Sequence, residues 1–320
     1  MRTLVTGGAG FIGSTLVDAL LARGDQVTIV DDLSGGRESN IAPALAAGAR
    51  FERADIRDGA ALSAIVAVAE PQTVFHLAAQ VDVRISLADP GFDARLNVEG
   101  TVNVLEAARA AGTERVVFSS TGGAIYGETD HLPTTETEPA LPMAAYGQSK
   151  RCAELYLGLY ERVYGMSTIA LRFGNVYGPR QDPHGEAGVI AIFCGKFRAG
   201  AQPRIYGAGT QTRDYVFVGD LVEALVRAGD VRDAGGVVNV GTEEETSVLE
   251  IVRVLAELHG PDAPEPEFAP ERLGEVERSC LDAGRARELL GWYARTPIGE
   301  GLRLTYESPG PAAGPDGLTT

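Results

Sequence analysis

The sequence predicts an α/β fold: a doubly wound parallel sheet with a smaller C-terminal substrate-binding lobe. Three observations predict it. Short β-branched runs alternate with segments of helical period through the first half of the chain. A glycine-rich turn, Thr6-Gly7-Gly8-Ala9-Gly10-Phe11-Ile12-Gly13, joins the first run to the first helical segment. The run Thr73-Val74-Phe75-His76-Leu77 is nearly all apolar, as a strand covered on both faces must be.

In order, the candidate strands are 3–6, 27–30, 50–54, 73–77, 115–119 and 167–172, with helical segments near 12–23, 58–69, 92–111 and 146–164. Beyond residue 180 the rhythm loosens. Helical patterns at 187–198, 219–228 and 246–258 are separated by Gly- and Pro-rich stretches, and 260–270, with four prolines, reads as a loop. Residues 1–180 form the expected first domain and 181–307 the second lobe, some of whose strands and helices return to the first. Residues 308–320 lack apolar periodicity and read as a mobile tail.

Composition narrows the function. The chain has 320 residues, 44% hydrophobic and 22% charged, which excludes disordered and fibrous classes. A net charge of −16 excludes general attraction to nucleic acid or to an anionic membrane. An anionic ligand then needs a local cluster of Arg or a helix N-terminus. The three cysteines form no CxxC pair, and His131, His184 and His259 have no metal-ligand spacing, so neither a disulfide framework nor a metal site is expected. With no long apolar stretch and Gly7-Gly8 breaking the first run, a soluble cytoplasmic protein is expected.

The glycine turn carries the first functional signal. Glycines there allow a tight turn and close approach of a pyrophosphate to backbone N–H groups, and the helix N-terminus adds positive potential. Asp31 ends the second strand, where a carboxylate binds ribose hydroxyls and repels a 2′-phosphate, favouring NAD over NADP. Asp55, with Ile56, either borders the adenine or caps a helix.

The second signal is Tyr146-Gly147-Gln148-Ser149-Lys150, which sets a phenol and an ammonium on one helix face. A nearby ammonium favours the phenolate and makes Tyr146 a usable base. Lys150 and Lys196 are the only lysines in an Arg-rich chain. Such a pair is also common on surfaces. Ser119-Ser120-Thr121 ends the fifth strand, at the mouth of the sheet, and reads either as ligand-facing hydroxyls or as a plain turn.

Further motifs stand in order: Asp31-Asp32-Leu33-Ser34, His76-Leu77-Ala78-Ala79-Gln80, Asn97-Val98-Glu99-Gly100-Thr101 and Arg172-Phe173-Gly174-Asn175-Val176-Tyr177-Gly178-Pro179-Arg180. With the glycine turn and the Tyr–Lys pair, they make residues 1–306 resemble the extended short-chain dehydrogenase/reductases, specifically the NAD-dependent epimerase/dehydratase family. The implied fold is of the Rossmann type. Ser120-Thr121-Gly122-Gly123-Ala124-Ile125-Tyr126-Gly127 and the stretch from Gly178 to Gly188 look most like bacterial UDP-glucose 4-epimerases.

The resemblance implies NAD as cofactor. It would be held by Gly7, Gly10, Phe11, Ile12, Gly13, Asp31, Asp32, Ser34, Gly36, Asp55, Ile56, Leu77, Ala78, Ala79, Gln80, Asn97, Tyr146, Lys150 and Phe173. It implies Tyr146 as the base at the sugar 4-hydroxyl, Lys150 on the nicotinamide ribose and Thr121 on the 4-oxygen. Hydride would leave C4 and return to the other face of a 4-keto sugar, so NAD stays bound. Gly122, Gly123, Asn175, Gly188, Val189, Tyr206, Arg213 and Arg272 would complete the UDP-sugar site. Arg213 and Arg272 would clamp the diphosphate, although Asp214, or Glu271 and Glu275, offer them ordinary ion pairs. Tyr206 either borders the uracil or packs in a core.

The resemblance also puts Ser279 at a position that bounds the sugar pocket, where a small residue would leave room for a 2-acetamido group. UDP-glucuronate 4-epimerase remains an alternative. A nucleotide-sugar dehydratase would need acids where Gly122 and Gly123 stand, and a non-catalytic NAD-sensing regulator often loses the Tyr–Lys pair. His76 reads as structural. The resemblance also implies a homodimer packed through the helices near 92–111 and 146–164, although Leu155, Leu159 and Val163 would equally suit a core.

Overall fold

The computed structural model describes residues 1–183, 188–271 and 276–309. Six strands of the first half are β1 (Arg2–Thr6), β2 (Gln26–Asp31), β3 (Arg50–Arg53), β4 (Thr73–His76), β5 (Arg115–Thr121) and β6 (Ser167–Phe173). A seventh, Gly236–Val240, joins them in one sheet, ordered Gly236–Val240, β6, β5, β4, β1, β2, β3. Every pairing in it is parallel. The six strands read from sequence fall within two residues of these bounds. The winding reverses at β1, where Thr6 faces Val30 on one side and His76 on the other. At such a switch point the chain leaves the sheet in opposite directions and a crevice opens at the carboxyl ends.

Helices cover both faces because each buries one stripe. On one face, α1 (Phe11–Ala22) buries Leu16, Val17 and Leu20 beside the helix Val218–Asp230, which buries Leu221, Ala224, Leu225 and Ala228. On the other, Gly59–Ala69, Gly100–Ala110 and Ala145–Tyr164 close over Leu62, Val66, Leu105 and Leu157. A third core, around Phe193, Phe197, Ile251, Leu255 and Leu302, belongs to the helices Val189–Arg198, Val248–His259 and Ile298–Glu307. The second lobe is not contiguous in sequence, since Val218–Asp230 and Gly236–Val240 sit with the main sheet.

Several expectations are corrected. Part of the segment read as a loop pairs as a strand: Glu267–Ala269 runs parallel to Arg204–Tyr206. The pairing is non-local, so three residues between prolines gave no local signal. The stretch 92–111 is helical, as expected, but not uniformly α: Pro90–Ala94 and Gly100–Ala110 flank a π-turn at Arg95–Glu99. The helices Glu38–Ala46, Val83–Ala88, Gly284–Leu290 and Ile298–Glu307 have no counterpart in the sequence reading, the first because Pro43 stands inside it. Leu155, Leu159 and Val163 are not core; they stand exposed along Ala145–Tyr164. Of the expected tail, all but Ser308 and Pro309 lies outside the described residues. Among the described residues, no helix is long and apolar enough to cross a membrane.

Candidate functional site

A cavity of about 570 Å³ opens where β1, β2, β4, β5 and β6 end. Its floor is the glycine turn. A methyl on Gly13 would stand 2.1 Å from the Gly7 carbonyl oxygen, and one on Gly7 would stand 2.6 Å from the Ala78 nitrogen. Gly7 also has φ +70°, a conformation that side chains disfavour. Gly10 and Gly13 line the cavity with Phe11 and Ile12, at the start of α1. The result is a cradle of backbone with no side chain in the way, at a helix N-terminus.

Asp31, buried at the end of β2, receives the Ala9 N–H on Oδ2 at 2.9 Å and the Leu33 N–H on Oδ1 at 2.8 Å. Each oxygen keeps a lone pair for another donor. Burial raises the carboxyl above the usual range, and the two backbone donors hold it back. Asp32, Ser34 and Gly36 follow along the same rim. Asp55 lines the wall with Ile56, its carboxylate gripped by the Arg57 guanidinium at 2.9 Å. The helix cap nearby is Asp58, which receives Ala61 N–H, so the capping role considered for Asp55 falls to its neighbour. Leu77, Ala78, Ala79 and Phe173 complete an apolar wall. Phosphate cradle, hydroxyl acceptor and apolar slot together fit a dinucleotide.

Ala145–Tyr164 delivers Tyr146 and Lys150 to the same cavity. Lys150 is 3% exposed. Its Nζ donates to the Ser119 carbonyl at 2.8 Å and lies 4.7 Å from the Phe118 ring centre and 5.9 Å from that of Tyr146. Burial pushes the ammonium down to about 7, against the opposing pull of Asp93 and Glu154. The strand-end hydroxyls differ in what remains free. Ser119 donates to the His76 carbonyl at 3.1 Å and Ser120 to Glu154 Oε1 at 2.6 Å. Thr121 Oγ1 has no hydrogen-bond partner among the described residues. His76 is fixed between Thr6 and Thr101, and burial pushes its ring down to about 3, so it is neutral.

A second cavity, of about 580 Å³, gathers Asn175, Val189, Tyr206 and Arg213. Arg213 does not pair with Asp214. Its Nη1 donates to the Thr212 and Glu277 carbonyls at 2.8 and 3.3 Å, while the Asp214 carboxylate turns inward to Thr242 and to the Glu243 and Leu281 N–H groups. Gly123 stands against Asn175: a methyl there would be 3.2 Å from Asn175 Oδ1.

The family model described as NAD dependent epimerase/dehydratase matches residues 3–241. This chain belongs to that family. The chain is 50% identical, over 96% of its length and 98% of the relative's, to UDP-glucose 4-epimerase of Mycolicibacterium smegmatis. It is 44% identical to the crystal structure of UDP-glucose 4-epimerase with UDP-glucose from Thermotoga maritima, at a TM-score of 0.91, covering 96% of this chain and 98% of that one. The UDP-glucose 4-epimerase of Thermus thermophilus, in complex with NAD, matches at 43% identity and a TM-score of 0.89, with coverage of 96% and 98%.

In this epimerase/dehydratase family member, the remaining described residues singled out from the sequence lie outside the lining of the two cavities. Gln80 and Asn97 stand behind the cavity wall rather than in it. They bond each other, Gln80 N–H to Asn97 Oδ1 and Asn97 Nδ2 to the Gln80 carbonyl, both at 2.9 Å, with Asp93 as a further acceptor for Asn97. The π-turn carries Asn97 into that layer, which no local pattern announces. Thr121, Gly122 and Gly123 lie beyond the wall of the first cavity, with Gly122 close against Leu281. Gly188 precedes the helix Val189–Arg198 beside Gln181 without lining the second cavity. Ser279 donates its N–H to the Thr212 carbonyl at 3.3 Å, next in sequence to Arg213. Arg272 lies outside the described residues. The sequence reading missed Arg37 and Asp182, which pair with each other and both line the first cavity, and also Glu154, the partner of Ser120.

Proposed function

We propose that this chain is an NAD-dependent UDP-sugar 4-epimerase that interconverts UDP-glucose and UDP-galactose. One observation carries the reading: a phenol and a buried ammonium, four residues apart, face a dinucleotide-shaped cavity whose wall includes Ser119 and Ser120, the two residues before Thr121. NAD, when bound, supplies a ring carbon that accepts a hydride and gives it back. Tyr146 takes the proton of the sugar 4-hydroxyl and returns it when the 4-keto group is reduced on its other face. Lys150 favours the phenolate. Thr121 donates to the 4-oxygen, a role for which Ser119 and Ser120 lack a spare hydrogen. Asn175, Val189, Tyr206 and Arg213, with Arg272 by motif, hold the nucleotide while the sugar turns over. Gly122 and Gly123 leave the sugar wall without the acids a dehydratase needs. A small side chain at Ser279 extends the substrates to N-acetylhexosamines.

The exposed apolar row Leu155, Leu159, Val163 and Tyr164 supports a homodimer through Ala145–Tyr164. Three unpaired cysteines suit work in the cytoplasm. Protein purified without added cofactor should carry NAD and convert UDP-glucose to a mixture with UDP-galactose. Tyr146→Phe should keep NAD and lose turnover. A folded, NAD-loaded wild type inert toward every UDP-sugar would favour a regulator instead.

A further inference from the structure

The helix Ala145–Tyr164 carries Tyr146, Lys150 and Glu154 at four-residue spacing, so the three side chains share one face. Two of them grip consecutive residues of β5. Lys150 donates to the Ser119 carbonyl at 2.8 Å, and Glu154 Oε1 accepts the Ser120 hydroxyl at 2.6 Å. Arg172, on β6, holds Glu154 with two arms, Nε to Oε1 at 2.8 Å and Nη2 to Oε2 at 2.7 Å. Both side chains of the pair are only 6% exposed. The third arm of Arg172 donates to the Tyr126 hydroxyl at 2.8 Å, and that hydroxyl donates to Asn239 on the seventh strand at 2.7 Å. Buried ion pairs add little stability compared with apolar residues of similar volume. An apolar pair, however, can neither fix a serine hydroxyl nor offset a neighbouring ammonium.

We propose that Glu154 is a positioning residue of the reaction centre: with Arg172 as counter-ion, it pins Ser120 in the cavity wall and balances the charge of Lys150 one helical turn away. The proposal deepens the epimerase reading and rests on it for the identity of the centre. Pinning Ser119 and Ser120 also fixes Thr121, the next residue of the strand. The groups facing Lys150 are Tyr146 and Glu154 from its own helix, Phe118 and Ser119 from β5, His76 from β4 and Asp93 from Pro90–Ala94. His76 is neutral, so the two carboxylates oppose the burial of the ammonium. Glu154→Gln removes one of them and leaves Arg172 uncompensated. Both changes disfavour the charged amine, so its midpoint moves down.

With only two lysines in the chain, isotope labelling of lysine side chains gives two NMR titration curves, and Lys196→Arg assigns them. In Glu154→Gln the Lys150 midpoint should fall by about one pH unit, tenfold in proton affinity. The alkaline limb of kcat should follow it while KM for the sugar nucleotide holds. An unmoved midpoint in the folded variant overturns the proposal. If Glu154→Gln does not fold, Ser120→Ala, which keeps the ion pair, takes its place. It should lower kcat about tenfold with the Lys150 midpoint and NAD content unchanged; a wild-type kcat overturns the proposal. The NMR midpoint needs no turnover, so a wild type that epimerises nothing sinks the epimerase reading separately.

Discussion

Gly13→Ala tests whether the glycine turn is a cradle or an ordinary bend. The added methyl would meet the Gly7 carbonyl oxygen at 2.1 Å, the Gly7 carbonyl carbon at 2.8 Å and Gly8 Cα at 2.8 Å. Real Cβ contacts stay beyond 3.0 Å, and all three atoms are backbone, so no side chain can swing away. The turn must open by roughly 1 Å, and overpacking of this kind costs about 1–3 kcal/mol. The Gly7 carbonyl also accepts the Gly10 N–H at 3.2 Å, so the shift spreads through the phosphate-facing backbone. If the strain falls on the cofactor-bound form, NAD affinity drops about 5- to 150-fold, at about 1.4 kcal/mol per decade. Calorimetric titration of NAD into cofactor-stripped protein measures it. Gly35→Ala is the control: Gly35 lines the same cavity, but a methyl there meets nothing within 4 Å, and affinity should stay within about twofold. Gly13→Ala protein binding NAD as tightly as wild type would refute the cradle.

Three other outcomes are expected. Asp31→Asn should weaken NAD about tenfold and narrow the preference over NADP, since the carboxylate that repels a 2′-phosphate is gone; equal NAD and NADP affinity in the wild type would remove this role. Arg213→Ala should raise KM for UDP-glucose by about tenfold or more without loss of bound NAD, and an unchanged KM would take Arg213 out of the diphosphate clamp. Ser279→Tyr should abolish turnover of UDP-N-acetylglucosamine and spare UDP-glucose; surviving N-acetyl activity would show that this position does not bound the sugar pocket.

Much of the molecule is legible where physics acts locally. The inner strands of the first half announce themselves because each is a short run covered on both faces, whereas β3 lies exposed at the sheet edge, and the glycine turn announces itself because backbone crowding at Gly7 and Gly13 admits nothing larger. Helical spacing puts Tyr146 and Lys150 on one face, and the glycine turn and strand-end hydroxyls that precede them in the chain single the pair out. What local pattern could not supply is the non-local pairing of Glu267–Ala269 with Arg204–Tyr206 and the π-turn that carries Asn97 behind the wall. Motif reading placed Gln80 and Asn97 against the cofactor; in the structure the Asn97 side chain bonds the Gln80 backbone and the Gln80 amide bonds the Asp82 backbone. Glu154 had a faint signal, four residues beyond Lys150, but its partner Arg172 comes from another strand. Arg213 read as a possible partner of Asp214 only because the two are adjacent, but Asp214 lies between the strands Thr212–Arg213 and Tyr215–Phe217 and spends its carboxylate on Thr242 and on backbone N–H groups.

The most direct measurement uses UDP-glucose deuterated at C4, given in ordinary water to protein purified with no added cofactor. Transfer out to the bound nicotinamide and back keeps the label within the site. UDP-galactose should form with deuterium still at C4, and a transient absorbance of reduced nicotinamide should appear during turnover. Product that has exchanged its C4 deuterium for a solvent proton would mean inversion by proton abstraction at carbon, and the hydride-shuttle mechanism would be wrong.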